Sequence, residues 1–290
     1  MIQNPQSIVL LRSPWTEHLS NLLSLVDENL LVVCPFLKRS GTNQIFAEFD
    51  RRSIQESVSI TLITDLKPES VLAGTLDIDA LTALGRKIPN LQVTHLPSVH
   101  AKVYVADCKK AIVTSGNLTR SGLQRNVEYG IALREEKIVR EIRSDFEGYA
   151  MLGASISHDD LVALSLEMHD LKETFQRAQS SIRAQARRAF EARLESTRTR
   201  LLRHRAKGTT THAIFADSIM FLLRNGPLMT SELQPLIQSL HPDLCDDSVD
   251  RVIDGVNFGK RWKHYVRNAQ QHLKRNGEVL FDKGRWCLLH

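Results

Sequence analysis

His100-Ala101-Lys102-Val103-Tyr104-Val105-Ala106-Asp107 is the stretch that decides how this chain folds. Its alternation predicts a strand over residues 100–106, because successive strand side chains point to opposite faces. Ala101, Val103 and Val105 would face a core, while His100, Lys102 and Tyr104 share the other face. An imidazole and an ammonium two residues apart are then presented together. A second short strand over residues 111–114 runs into Thr114-Ser115-Gly116-Asn117, whose small residues let the backbone and an amide approach a ligand closely. A third begins near Asn126-Val127-Glu128.

Outward from this centre, strand-like runs occupy residues 7–11, 30–36, 58–64, 91–96 and 127–133. Helix-like stretches lie near residues 15–26, 44–55, 78–86 and 136–149. Strands alternating with helices argue for an α/β sheet domain. The run Leu30-Leu31-Val32-Val33 is apolar on both faces, as a buried central strand requires. Residues 155–207 read as helix, with apolar positions from Leu161 to Leu201 recurring at helical spacing. The 290 residues, about two domains by length, are therefore expected as an α/β domain over 1–153, a basic helical connector over 154–208 and a small domain over 209–290.

Charge follows the same divisions. Residues 1–153 carry 17 basic and 17 acidic side chains, residues 154–207 carry 11 and 7, and residues 208–290 carry 10 and 9. The excess concentrates in residues 177–207, where ten basic residues, Arg187 and Arg188 among them, meet two acidic ones. Such a stretch suggests a polyanion partner, nucleic acid first, or else a solvated arginine-rich helix. With 42% hydrophobic and 24% charged residues, the composition excludes collagen-like, disulfide-scaffold and largely disordered chains. No apolar run approaches the roughly 20 residues of a membrane-spanning helix, and no signal-peptide pattern is read at the start. The four cysteines, Cys34, Cys108, Cys245 and Cys287, form no CxxC pair. A cytoplasmic location without disulfides, bound metal or cofactor is the expectation.

The C-terminal part reads as three helices, near residues 212–224, 230–240 and 261–276, followed by a hairpin around Asp282-Lys283-Gly284. Trp262, Val266, Ala269 and Leu273 make one stripe of the third helix. His264 and Gln270 fall mostly outside it, and so do Lys263, Arg267, Asn268, Gln271 and Lys274, whose residue types reach phosphates and base edges. With Lys283 at the hairpin tip, they are the candidate DNA contacts. Helices followed by a basic hairpin suggest a winged helix-turn-helix, used for DNA or for protein contacts. The segment from Trp262 to Trp286 resembles the N-terminal winged-helix domain of Mrr-type restriction proteins, including its ending from His272 to Val279 and from Gly284 to Leu288.

His100, Lys102 and Asp107 at this spacing resemble the motif HxK(x)4D(x)6GSxN of the phospholipase D superfamily. Six residues after Asp107, Thr114-Ser115-Gly116-Asn117 takes the GSxN place, with Thr114 departing from the usual glycine. Asn126 and Glu128 resemble the superfamily's bacterial nucleases, where a glutamate follows at this distance. The resemblance implies a phospholipase D-like mixed β-sheet flanked by helices. It also implies that His100 attacks phosphorus to form a covalent phosphohistidine, that Lys102, Asn117 and Ser115 stabilise the phosphate oxygens, and that Glu128 orients the imidazole. The alternative for Ser115 is that it only caps its turn. Asp107 is the weakest catalytic candidate, since its family counterpart can be structural.

The superfamily mechanism uses two histidines, and this chain has one such motif. The resemblance therefore implies a homodimer with one shared site. The expected function is a metal-independent DNA endonuclease, acting on duplex DNA in restriction, phage defence or repair. The alternatives are a DNA-binding regulator with an inactive catalytic domain, and a phospholipase.

Overall fold

The computed structural model describes residues 8–180, 184–205 and 210–289, with side chains described outside 178–187, 202–209 and 239. The Arg187 side chain, a candidate DNA contact, lies outside the described ones. The chain divides into two compact units, Met1–Arg200 and Leu201–His290.

The first unit is a mixed sheet of eight strands flanked by helices. Its strands are β1 (Ile8–Arg12), β2 (Asn29–Val33), β3 (Ser59–Thr64), β4 (Leu91–His95), β5 (Val103–Ala106), β6 (Lys110–Thr114), β7 (Tyr129–Leu133) and β8 (Ala154–Ile156). They lie in the order β1-β7-β6-β5-β2-β3-β4-β8. β2, β3 and β4 run parallel, and every other pairing is antiparallel. The helices are α1 (Thr16–Leu23), α2 (Arg39–Arg51), α3 (Pro68–Leu72), α4 (Ile78–Lys87), α5 (Glu136–Met151), α6 (His158–Ser180) and α7 (Ala184–Arg205).

The central strands bury both faces. Leu31, Val33, Val103, Val105 and Ala111 pack with Val139, Ile142 and Phe146 of α5. Alternate residues Leu30, Val32, Tyr104 and Ile112 are equally buried, with α1 packed over β5 and β6. This corrects the expectation that residues 100–106 form a strand with one polar face. β5 starts at Val103, and Tyr104 is fully buried against the Trp15 ring. The ladder closes where the Thr114 N–H donates to Lys102 O at 3.1 Å, so His100 lies beyond it. A central strand has no free face, and only the segment before it reaches solvent.

β8 continues the sheet past residue 153, within the stretch read as connector, and α6 packs on α3 and α4. Much of the basic excess there is paired. Arg177 meets Glu173, Arg193 meets Asp170, Arg198 meets Glu69 and Arg200 meets Glu167. Arg188 is exposed.

The second unit holds α8 (Thr211–Leu223), α9 (Thr230–Leu240), β9 (Asp250–Ile253), β10 (Val256–Lys260), α10 (Arg261–Arg275), β11 (Val279–Asp282) and β12 (Arg285–Leu288). Phe215, Ile219, Leu233, Ile237, Trp262, Val266, Leu273 and Trp286 form its core. The β9–β10 hairpin was not expected from the pattern. Asp254 and Gly255 turn it with φ of 48° and 80°, the left-handed pair of a two-residue loop. Leu228 bridges Trp286 antiparallel, which brings a third chain segment to the β11–β12 pair.

Candidate active site

The candidate residues gather where β2, β3 and β4 end, β5 begins and β6 ends. Ligands of open α/β sheets favour the carboxyl ends of the parallel strands. Ser98, at φ 62°, turns the chain between β4 and β5 and delivers His100 to this rim. The His100 imidazole is exposed and meets the Phe36 ring edge-on at a centroid distance of 6.5 Å. Lys102 is 6% exposed. Its Nζ lies 3.2 Å from each His100 ring nitrogen and donates to His100 O at 2.6 Å. Burial holds the Lys102 ammonium below its ordinary pKa of 10.5, and the Glu128 carboxylate opposes this in part. A cation is thus fixed beside an exposed imidazole.

The turn after β6 faces this pair. The Cys34 thiol lies 3.6 Å from Asn117 Oδ1 and accepts the Leu118 N–H at 3.3 Å. Among the described residues the Asn117 amide nitrogen has no protein partner, so it is open to an incoming oxygen. Ser115 Oγ donates to Glu128 Oε2 at 2.5 Å, and Asn126 Nδ2 donates to Glu128 Oε1 at 3.1 Å. Ser13 Oγ accepts the Glu128 N–H at 2.6 Å. Glu128 therefore holds Ser115 and Asn126, and not the imidazole, within one chain. Thr114, where the motif has glycine, is buried and accepts the Gly116 N–H at 3.2 Å.

Asp107 is not brought to this site. It sits at the far end of β5, in the β5–β6 turn, with φ 47°. Its carboxylate accepts the N–H groups of Asp27, Glu28 and Asn29 and pairs with Lys109. Burial pushes that carboxyl up, but these N–H groups and Lys109 outweigh burial and leave it below its ordinary 3.8. Its geometry is that of a clamp on the loop before β2.

Trp15 is the residue that the local pattern did not reveal. Its Nε1 donates to Gly122 O at 2.7 Å, and its indole covers Gly116, where a Cβ would collide with it. It backs the turn carrying Ser115 and Asn117 from about a hundred residues away, with no signal in either stretch alone. His95 is buried and accepts the Leu66 N–H at 3.1 Å, beside Asp65.

In the second unit, Arg267, Asn268, Gln271 and Lys274 are exposed along α10, Lys263 is half-buried and Lys283 is exposed at the hairpin turn. Gln270, read with them, is instead buried and reaches Thr230 Oγ1 at 3.3 Å. Among the described residues, no group of three or more His, Cys, Asp or Glu side chains is placed to hold a metal ion, and no helix is long and apolar enough to cross a membrane.

The sheet and this rim define a phospholipase D-like fold. Residues 22–150 match the family model described as "Cardiolipin synthase, PLD-like domain". Among solved structures, the chain is similar to Nuc of Salmonella typhimurium, a phospholipase D family member, at 15% identity and TM-score 0.43, covering 51% of this chain and 97% of that one. It is similar to NucT of Helicobacter pylori at 17% identity and TM-score 0.39, covering 48% and 92%. It is also similar to phosphatidylserine synthase of Haemophilus influenzae Rd KW20 at 14% identity and TM-score 0.45, covering 60% and 45%. No curated protein matches the chain.

Proposed function

We propose that the chain is a metal-independent DNA endonuclease that cleaves phosphodiesters through a phosphohistidine, at a site shared by two copies. The observation that carries this is the exposed His100 imidazole with the Lys102 ammonium 3.2 Å away, on the rim that also holds Asn117 and the Ser115–Glu128 pair. In the first step a His100 ring nitrogen forms a bond to phosphorus, and the P–O bond to the leaving oxygen breaks. The leaving oxygen takes a proton from His100 of the second subunit. In the second step that same histidine takes a proton from water, whose oxygen attacks phosphorus and breaks the N–P bond. Lys102 and the Asn117 amide stabilise the charge that builds on the phosphate oxygens.

Two features support the shared site. On this reading one chain supplies one motif histidine, His100, as nucleophile, and the leaving-group acid comes from a second copy. Beside Glu128, Val127 is 99% exposed, and Tyr129, Ile8 and Leu10 add exposed apolar surface at the edge strand. A twofold axis there would cover this patch and bring the two His100 residues together.

DNA is favoured as substrate by the second unit. The order α8, bridge at Leu228, α9, β9–β10 hairpin, α10 and β11–β12 hairpin supports a winged helix with an extra hairpin between its second and third helices, with α10 as its reading helix. Its outward face carries Arg267, Asn268, Gln271 and Lys274. On this reading residues 209–290 deliver the catalytic domain to duplex DNA. The family model's description as a cardiolipin synthase makes a lipid phosphodiester the second substrate class.

The test is incubation with plasmid and short duplex DNA in EDTA, beside His100→Ala, with anionic lipid vesicles in parallel. Cleavage of DNA by the wild type alone is the expected result. Vesicle hydrolysis without DNA cleavage would replace this reading with the lipid one. Equal tight DNA binding by both proteins, with no cleavage, would make the chain a DNA-binding regulator.

A further inference from the structure

Asp65 directly follows β3 at the carboxyl end of the parallel strands, is 4% exposed, and takes no part in the proposed chemistry. Burying a carboxylate is costly unless partners replace the lost water. Asp65 has two, both on Oδ2: the Ser98 N–H at 3.0 Å and the half-exposed Lys67 ammonium at 2.6 Å. Its Oδ1 has no hydrogen-bond partner among the described residues. It lies 3.7 Å from His95 Nδ1, which already accepts the Leu66 N–H and so has no proton to give. Of the two partners, Ser98 belongs to the segment that leads to His100.

Ser98 sits in a turn that needs such a hold. Leu96-Pro97-Ser98-Val99 closes with the Val99 N–H donating to Leu96 O at 3.3 Å, and Ser98 has φ 62°. Proline in the second place and a left-handed third residue are the pattern of a type II turn, whose third place suits glycine or asparagine. A serine there is strained, and such strain persists only where the surroundings over-determine it. Ser98 is exposed, so packing does not hold it. The Asp65 carboxylate holds the backbone N–H of that same residue. Beyond the turn, Val99 and Ala101 pack on the core, and Lys102 O accepts the Thr114 N–H at 3.1 Å. The exposed His100 stands between these anchors.

We infer that Asp65 is a positioning residue of the catalytic site: its hold on the Ser98 N–H keeps the turn left-handed and so sets His100 at hydrogen-bond distance from Lys102. This rests on the reading of His100 as the nucleophile. The effect is one of geometry. A nucleophile displaced by about 1 Å can lose about 10²-fold in rate, while the rest of the substrate is bound as before. A residue that only stabilised the sheet would lower Tm and leave kcat and the His100 ring where they are.

The experiment compares the full chain as wild type, Asp65→Ala, Asp65→Asn, Ser98→Val and the double variant Asp65→Ala with Ser98→Gly, circular dichroism confirming each fold. Two readouts are taken: kcat and KM on a short duplex in EDTA, and the histidine ring signals in proton–nitrogen NMR spectra. The His100 signals are assigned by their absence from His100→Ala. Asp65→Ala should lower kcat about 10²-fold with KM within about twofold, and should move the His100 signals. Asp65→Asn, whose amide oxygen can still accept the Ser98 N–H, should keep most of kcat. Ser98→Val puts a β-branched side chain at φ 62° on an exposed site and should reproduce the loss with Asp65 in place. Ser98→Gly removes the strain and should win back about tenfold of the rate lost in Asp65→Ala. Folded Asp65→Ala with wild-type kcat and His100 signals overturns the proposal. So does a loss that Ser98→Gly leaves undiminished. If Asp65→Ala does not fold, Ser98→Val decides, and wild-type behaviour there overturns the role of the turn. A wild type that cleaves no DNA ends the nuclease reading, and the His100 signals, moved by Asp65→Ala or not, still decide this one.

Discussion

The Lys102 ammonium lies 3.2 Å from both ring nitrogens of His100 and hydrogen-bonds to the carbonyl oxygen of that residue. This fixes a cation at the nucleophile; among the described residues no carboxylate forms an ion pair with it, and Glu128 acts on it only through space. Lys102→Met should lower kcat by about 10²–10³, the range for losing one preorganised donor, while Lys102→Arg recovers part of it. Burial lowers the Lys102 pKa below 10.5, so the ammonium is lost as pH rises through that lowered value. Activity should therefore fall on the alkaline side before pH 10.5, and the limb should be missing from Lys102→Met. A wild-type profile flat through that range would show that Lys102 does not act as a cation.

Asp107 should behave as a structural residue despite its place in the motif. Removing its charge in Asp107→Asn weakens the bonds from the Asp27, Glu28 and Asn29 N–H groups. Charged hydrogen bonds contribute about 1.5–3 kcal/mol each, so a net loss near 2–3 kcal/mol is expected, or a Tm lowered by roughly 4–12 °C. Its folded pKa lies below 3.8. The stability it contributes is thus fully present above the unfolded value and is lost as pH falls through the folded one. The variant's Tm deficit should therefore be full above about pH 4 and shrink as pH falls below it, with kcat at 25 °C near wild type. A kcat loss comparable to that of His100→Ala would return Asp107 to the chemistry.

How far the sequence carried this far depends on where each signal sits. The apolar run Leu30–Val33 and the strand–helix alternation marked the sheet, because those signals are local and periodic. The spacing from His100 to Glu128 gathered five of the six candidate catalytic residues on one rim. Asp107 went elsewhere because a strand of four residues separates its two ends, and spacing along a chain does not say which end is the site. Trp15 and Cys34 were hidden because their partners, Gly122 and Asn117, lie about a hundred and 83 residues away. β8 has three residues and no period to read. The β9–β10 hairpin did carry an Asp254-Gly255 signal, overshadowed by the helical patterns on either side. Gln270 was misplaced because it borders the apolar stripe of α10, where the Thr230 hydroxyl makes burial tolerable.

Trp15→Phe should test the support of the catalytic turn. It keeps an aromatic ring against Tyr104 and Gly116 but removes the donor to Gly122 O. A buried carbonyl left without its donor costs about 1–3 kcal/mol. The expected outcome is a Tm lowered by several degrees and a kcat reduced about tenfold, with KM nearly unchanged, since the turn positions Asn117 and does not itself hold the rest of the substrate. A variant that loses Tm alone, with kcat intact, would confine Trp15 to stability.

The face of α10 makes the last prediction. Arg267 and Lys274 are exposed, while Val266, Ala269 and Leu273 on the opposite side are buried in the core of the second unit. Removing either cation should leave the fold untouched, because neither makes an ion pair among the described residues. If both contact phosphates, each Ala substitution should weaken duplex binding and lower the slope of log K against log salt by about 0.9. A contact to a base edge would instead cost about 1–3 kcal/mol at one sequence position and leave the others alike. Binding measured at three salt concentrations separates the two. Cleavage of a short oligonucleotide at saturation should be unchanged in both variants, since α10 delivers the substrate and His100 cuts it. An unaltered salt slope in the double variant would move the DNA contact off α10 and leave the second unit as a surface for another protein.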